Sequence, residues 1–458
     1  MEPDNINLDE LGCELHELIA RLYPIHRCIS GDGVRETLAI LNEHVPVEVH
    51  EVPSGTQVLD WTVPREWNVR DAYIKDADGR RLVDYRRSNL HVVQYSRPLR
   101  RVVSWDELEQ HLHTLDEHPD WIPYRTAYYS DTWGFCLSRR QYDELKNRAG
   151  RPFEVRIDAT LQDGSLTYGE IYLPGESRDE VLLSAHVCHP SMANDNLSGV
   201  AVAAYLAKHL STRRRRYSYR FVFAPGTIGA ITWLSQNERN VGRVKHGLVL
   251  ALLGDEGDTT YKRSRRGNAQ IDRAMEHILA HSGSDYSSVD FTPFGYDQRQ
   301  FCSPGFDLPM GCLMRSANGH FPQYHTSADD LDLVKPASLA DSWSKCLSVI
   351  ELLENNRVYR NLSPKGEPQL GRRGLYELSA SRQDGAVLQQ AVLWVLNFAD
   401  GSRTLLEIAE RASLGFAVIR EAAELLIRHD LLAPCEKTAA QENLSATTPC
   451  LHASPSSG

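Results

Sequence analysis

One alternation constrains this chain more than any other feature. From about Phe153 to Leu353, short apolar runs alternate with stretches of helical periodicity. Glu180–Ala185 (EVLLSA), Tyr219–Ala224 (YRFVFA) and Gly247–Leu253 (GLVLALL) have the texture of strands buried on both faces. Leu197–Leu210, Ile228–Gln236, Gln270–His281 and Ala337–Leu353 carry apolar residues at helical spacing. Strand, helix, strand, helix predicts an α/β fold with a mostly parallel, doubly wound sheet covered by helices on both faces. In such a sheet, sites collect at the carboxyl ends of the strands.

The flanks read differently. Helices are expected near residues 8–22 and 33–42, with Pro24 between them. From His50 to about Pro98, β-type runs (EVHEV, QVLDWTV, DAYIKD, LHVVQY) alternate with turn signals, and aromatic loops follow through Trp133. Arg360–Arg373 has a linker composition, and residues 375–434 read as a compact helical module. Within it, helices are expected over Ala386–Asn397, Thr404–Ala412 and Phe416–Arg428, with a turn at Asp400–Ser402 and a short strand at His429–Pro434. The expected organisation is an α/β domain over 1–49 and 150–362, an inserted β-rich module over 50–149, a C-terminal module over 374–435 and a disordered tail over 436–458.

Polar residues cluster where the strands end. His186 and His189 follow EVLLSA directly, and Asn194-Asp195-Asn196-Leu197-Ser198-Gly199 opens the next helix. Asp255 and Glu256 follow GLVLALL, and His325 lies in YHTSAD (324–329). His186, Asp195, Asp255 and His325, two imidazoles and two carboxylates converging on one sheet edge, have the donor set of a zinc site. Taken singly, Asp195 also reads as a helix cap and His186 as a satisfied polar residue at a strand end. His189 reads equally as a ligand or as a structural turn residue before Pro190.

Composition narrows the function. The net charge of −11 over 458 residues argues against a nucleic-acid-binding protein as a whole. No apolar run approaches the roughly 20 residues of a membrane span. The acidic first residues show no secretory signal, and nine scattered cysteines read as reduced thiols, so a cytoplasmic location is expected.

At these residues the sequence resembles a known family. SAHVCHPSMANDNLSG, then PGTIG after a strand, then LGD and YHTSAD, are similar to the aminopeptidase-like zinc hydrolases. That clan contains zinc aminopeptidases and glutaminyl cyclases. The sequence is closer still to a subfamily with an inserted β-rich module and a C-terminal winged helix. EVPSGTQVLDWTVPREW (51–67), WGFCLS (133–138), YKRSRRG (261–267) and GYDQRQFCSPGFDLP (295–309) carry that further resemblance. It implies the zinc aminopeptidase fold and one Zn2+ per chain. Residue by residue, it implies His186, Asp195 and His325 as metal ligands, and Asp255 as a further ligand or an orienting group. It also implies a Glu-Glu pair after YRFVFA, the first Glu serving as general base and the second as a metal ligand; the subfamily is expected to keep only the first.

The sequence departs from the pattern there, with Gly226 and Thr227 at those two positions. Loss of a general base costs about 10²–10⁴-fold in rate. Three explanations stay open. Another carboxylate substitutes, with Glu256, Asp297 and Glu170 as candidates. Or the reaction is a transfer or condensation that needs no such base. Or the domain only binds. Thr227 also points to one metal rather than two. Cys188 reads best as a buried small hydrophobe.

Asp297, Arg299 and Gln300 in GYDQRQF read as a substrate loop or as a solvated surface loop. With Tyr324 beside His325, Arg299 and Gln300 form the expected substrate-binding set. The basic run Lys262, Arg263, Arg265, Arg266 suits carboxylate recognition or a solvated face. The recognition-helix position of the winged helix, Phe416–Arg428, balances Arg420 and Arg428 with Glu421 and Glu424, which favours a protein partner or dimerisation over DNA.

The expected function is a zinc-dependent, aminopeptidase-like enzyme acting on an amide bond or an amino-acid-like substrate with a free amino group. Gly226 directs it towards biosynthesis. The alternative is a non-catalytic, metal-containing binding protein.

Overall fold

A computed structural model describes residues 6–317, 320–375 and 385–435. The tail expected over 436–458 lies outside the described residues. The chain divides into two compact units, one of residues 1–273 with 284–347 and one of 274–283 with 348–458.

The first unit is built on an eight-stranded sheet. Its strands are β1 (Glu48–Pro53), β2 (Ser165–Leu173), β3 (Glu180–His186), β4 (Ser218–Ala224), β5 (Val244–Leu250), β6 (Thr259–Lys262), β7 (Tyr286–Val289) and β8 (Met310–Met314). Their spatial order is β1-β2-β4-β3-β5-β8-β6-β7. The centre, β4-β3-β5-β8, is parallel throughout. β2 runs antiparallel to both β1 and β4, and β6 antiparallel to β8, so the whole sheet is mixed. Every residue of β3 and β8 is buried, as expected for strands covered on both faces. The helices Gly199–Ser211 and Ile228–Asn237 follow β3 and β4, as the periodicity predicts.

The β-rich module forms a four-stranded antiparallel sheet in the order Arg81–Asp84, Glu66–Lys75, Phe153–Gln162, Leu99–Val103. Its seam differs from the expected boundaries at 50 and 149. Phe153–Gln162, expected in the α/β domain, pairs entirely within the module's sheet, while β1 crosses residue 50 and edges the large sheet. One apolar core, including Trp67, Phe135 and Phe153 on one side and Val222, Val249 and Cys312 on the other, runs through both sheets. LHVVQY is a short helical turn, Asn89–His91, and a loop rather than a strand.

The second unit carries the helices Gly385–Phe398, Leu405–Ala412 and Phe416–Arg428. Asp400–Thr404, Val358–Asn361 and Leu432–Cys435 form its three-stranded sheet, in that order. Two expectations change here. The linker expected from Arg360 begins inside the central strand, and the turn expected at Asp400–Ser402 is the start of an edge strand. Thr404 opens the second helix with a capping box closed by Glu407.

Candidate metal centre

The centre lies at the carboxyl end of the parallel strands. His186 is the last residue of β3. Ala193–Ser198 then forms a tight turn before the helix, and Asp195 and Asn196 within it have non-helical backbone angles. The helix starts at Gly199, where a Cβ would lie 2.4 Å from the Leu250 carbonyl oxygen, so only glycine permits this approach to β5.

The NDNLSG motif fastens that turn to the exit of β5. Asn196 donates from Nδ2 to Leu250 O (2.9 Å) and accepts from Leu252 N (3.1 Å). Ser198 Oγ accepts from Leu253 N (2.9 Å), and Asn194 Oδ1 from Gly254 N (2.8 Å). Asp195 caps no helix, because these neighbours hold it inward at 0% exposure.

Three imidazoles surround Asp195. His186 Nε2 lies 2.9 Å from Oδ1; His325 Nε2 lies 3.0 Å and His189 Nε2 3.9 Å from Oδ2. The His189 ring is about equally far from the other two, with centroids 5.1 Å from His186 and 5.2 Å from His325. Burial disfavours charge on His186, but Asp195 outweighs it and raises its pKa. Burial lowers His189 to about 3 despite Asp195. Burial alone would raise Asp195; the histidines hold it well below the usual carboxylate range.

These residues fit a metal ion. Asp195 Oδ2 and His325 Nε2 are buried, close together, and yet make no hydrogen bond. The two atoms are in ion-pair contact without hydrogen-bond geometry, an arrangement that a bound cation would satisfy. Zinc–ligand bonds of roughly 2.0–2.1 Å at tetrahedral angles separate the ligand atoms by about 3.3 Å. His186, His189 and Asp195 present ligand atoms within 4.8 Å of one another, an N/O set suited to zinc.

Asp255 lies outside that group of atoms. Its Oδ2 accepts from Asn194 Nδ2 (2.8 Å), and its Oδ1 from Ser316 Oγ (2.7 Å) and Gly257 N (2.7 Å). It therefore steadies the residue that precedes Asp195. Asp329, unnoticed as a site residue in the sequence although YHTSAD contains it, accepts from Asn194 N (2.6 Å) and Asp195 N (2.9 Å). Burial and the neighbouring Asp195 raise it to about 8.

Of the three candidate bases, Asp297 alone reaches the centre. It is buried, accepts from Thr227 N through Oδ1 (2.6 Å), and interacts electrostatically with His186. Burial raises its pKa. Glu256 is exposed and lines a cavity of about 440 Å3 with Trp121, Asp255 and Phe321. Glu170 pairs with Arg220 and accepts from Trp233 Nε1 (2.8 Å), a structural role.

Aromatic rings frame the histidines. Tyr296 stacks on His186 and Tyr324 on His325. Tyr124, from the β-rich module, lies against both His189 and His325, and its N–H donates to His325 O (2.8 Å). The periodicity of the sequence carries no signal for Tyr124 or Tyr296. In GYDQRQF, Gln298 is a buried anchor donating to the Arg263 and Met310 carbonyls. Arg299 and Gln300 follow it half-buried, and among the described residues neither hydrogen-bonds Asp195 or the histidines. The basic run is answered within the chain: Arg263 pairs with Asp290, and Arg265 and Arg266 with Asp307.

Backbone strain marks the same edge. Ser191, Thr227, Leu252 and His325 all have positive φ, between 40° and 59°. For a β-branched residue such as Thr227 this is a rare conformation, of the kind that gathers at functional sites.

Residues 16–356 match the model of a family described as a domain of unknown function (DUF4910), and residues 357–434 match a winged helix-turn-helix model. A Clostridium acetobutylicum protein is 50% identical over 426 residues, covering 93% of this chain and 97% of its own length; it is named as a candidate polysaccharide biosynthesis protein with an aminopeptidase-like domain. A crystal structure of a candidate peptidase from the same organism superposes with a TM-score of 0.89 at 49% identity, covering 94% of this chain and 98% of that one. A zinc aminopeptidase from Bacillus subtilis superposes with a TM-score of 0.55 at 12% identity over 75% of this chain and 94% of its own, a likeness of fold alone.

Proposed function

This chain belongs to the family described as a domain of unknown function (DUF4910), and on that premise we propose that it is a zinc-dependent, aminopeptidase-like enzyme. Its substrate is an amide or amino-acid-like molecule with a free amino group, and its work is biosynthetic. The name of the Clostridium relative supports a place in polysaccharide biosynthesis. The observation that carries the reading is the buried Asp195 carboxylate, held among imidazoles with Oδ2 and His325 Nε2 left without hydrogen bonds.

Asp195, His186 and His325 would hold the ion. Zinc in such a site polarises a carbonyl and makes water or an amine easier to deprotonate. Asp297 accepts the proton, since burial moves its pKa towards the working pH. Asp255 and Asp329 hold the Asn194–Asp195 segment in place. Tyr324 orients His325 and borders the substrate. Arg299, whose Nε is buried without a hydrogen-bond partner, meets an acidic group of the substrate, with Gln300 beside it.

Gly226 favours a second reading, a metal-containing protein that binds without turnover. The winged helix serves a protein contact in either case: Arg420 on its third helix already faces Glu351 (3.9 Å) and Glu424 (3.5 Å), which leaves less charge for phosphates.

Elemental mass spectrometry of the purified chain tests the proposal. About one zinc per chain, lost in His186→Ala and Asp195→Ala, is expected. A wild-type protein that takes up no zinc at neutral pH would overturn it.

A further inference from the structure

We propose that His189 is a metal ligand of this centre, standing in for the carboxylate that the clan places at position 227. The inference rests on the proposed zinc site and adds to it a residue outside the clan's pattern. Thr227 brings no carboxylate to that position: its side chain ends in a hydroxyl, and its backbone N–H donates to Asp297. His189 belongs to the histidine cluster, its ring about equally far from those of His186 and His325. Its Nε2 is the nitrogen that faces Asp195 Oδ2, the oxygen without a hydrogen bond. Its Nδ1 is directed away, 3.5 Å from Cys188 Sγ.

The backbone at His189 is also locked. Arg27 is 1% exposed and, among the described residues, forms no carboxylate pair, yet it donates from Nε to the His189 carbonyl (3.0 Å) and from Nη1 to Leu22 O (2.6 Å). Pro190 restricts His189 to extended backbone. A buried cation is an expensive way to shape a turn, and one of its hydrogen bonds fixes the residue that aims an imidazole at Asp195. Tyr124 packs against the same ring, with centroids 5.1 Å apart.

The test is zinc affinity by chelator competition for the full chain and for His189→Ala and His189→Gln. Losing an outer-shell partner costs about 10–100-fold in metal affinity, so loss of a ligand is expected to exceed 100-fold. Cobalt(II) absorption of the wild type and His189→Gln provides a readout independent of activity, and it is expected to change in band position and intensity. Wild-type zinc binding with a loss of 100-fold or less in both variants, or with an unchanged cobalt spectrum in His189→Gln, overturns the assignment of His189. If His189→Ala fails to fold, the His189→Gln spectrum decides. A wild type that binds no zinc overturns the metal centre itself, a distinguishable failure.

Discussion

Gly226→Glu is the substitution that most directly probes the chemistry. Position 226 follows β4 and faces the centre: a Cβ built there meets Cys188 Sγ at 3.4 Å and His186 Cβ at 3.9 Å, both ordinary contacts. Gly226 is also absent from the glycines with positive φ, so a side chain is admitted without backbone strain. The restored carboxylate would join Asp195 and Asp297, and three acids in one buried site repel one another unless a cation is present. The gain is therefore expected only in the zinc-loaded protein. A working general base is worth about 10²–10⁴-fold, or roughly 2.7–5.4 kcal/mol of barrier at 1.36 kcal/mol per decade. The assay is hydrolysis of aminoacyl p-nitroanilides by zinc-loaded wild type, Gly226→Ala and Gly226→Glu. Gly226→Ala controls for bulk and should match the wild type. Asp297→Asn keeps an oxygen for the Thr227 N–H but loses the base, so it should lower any wild-type turnover by a similar factor, and Gly226→Glu in that background should restore it. A folded, metal-loaded Gly226→Glu protein with no gain over Gly226→Ala would refute the argument that the missing carboxylate limits hydrolysis.

Two further predictions concern stability. Arg220 on β4 joins buried Glu180 (2.7 and 3.1 Å) and Glu170, so Arg220→Met strands two buried carboxylates and should cost about 3–5 kcal/mol in urea unfolding; a change below about 1 kcal/mol would remove Glu170 from its structural role. Burial holds His26 and His246 neutral, each at about 3 against an ordinary 6.5. From about pH 6.5 down to 3 the unfolded chain binds protons at both sites that the folded chain refuses. Each histidine should therefore remove about 1.4 kcal/mol of stability per pH unit as pH falls through that window. Urea midpoints at pH 7.5 and 5.0 that coincide would contradict this.

Much of the fold is legible along the chain. EVLLSA, YRFVFA and GLVLALL are short, largely apolar runs that form strands covered on both faces, and the helices that follow the first two, Gly199–Ser211 and Ile228–Asn237, are buried along most of their length. The same order puts His186 at a strand end and Asp195 before a helix, since strand exits in a parallel sheet share one edge. Asp255 shows where this reasoning stops. Its place after β5 is correct, but the direction of its carboxylate depends on the path of the loop through Leu252, whose φ is 52°, and on Asn194 and Ser316 arriving to take both oxygens. Asp297 and Asp329 come to the centre from later loops, and Tyr124 from a module that carries a different periodicity. His189 is ambiguous in the sequence because a histidine before proline has both structural and ligand uses. Local periodicity reports which face of an element is buried; which side chains from separate loops share one carboxylate is decided by packing, where distances of a few ångströms follow from contacts more than a hundred residues apart in sequence.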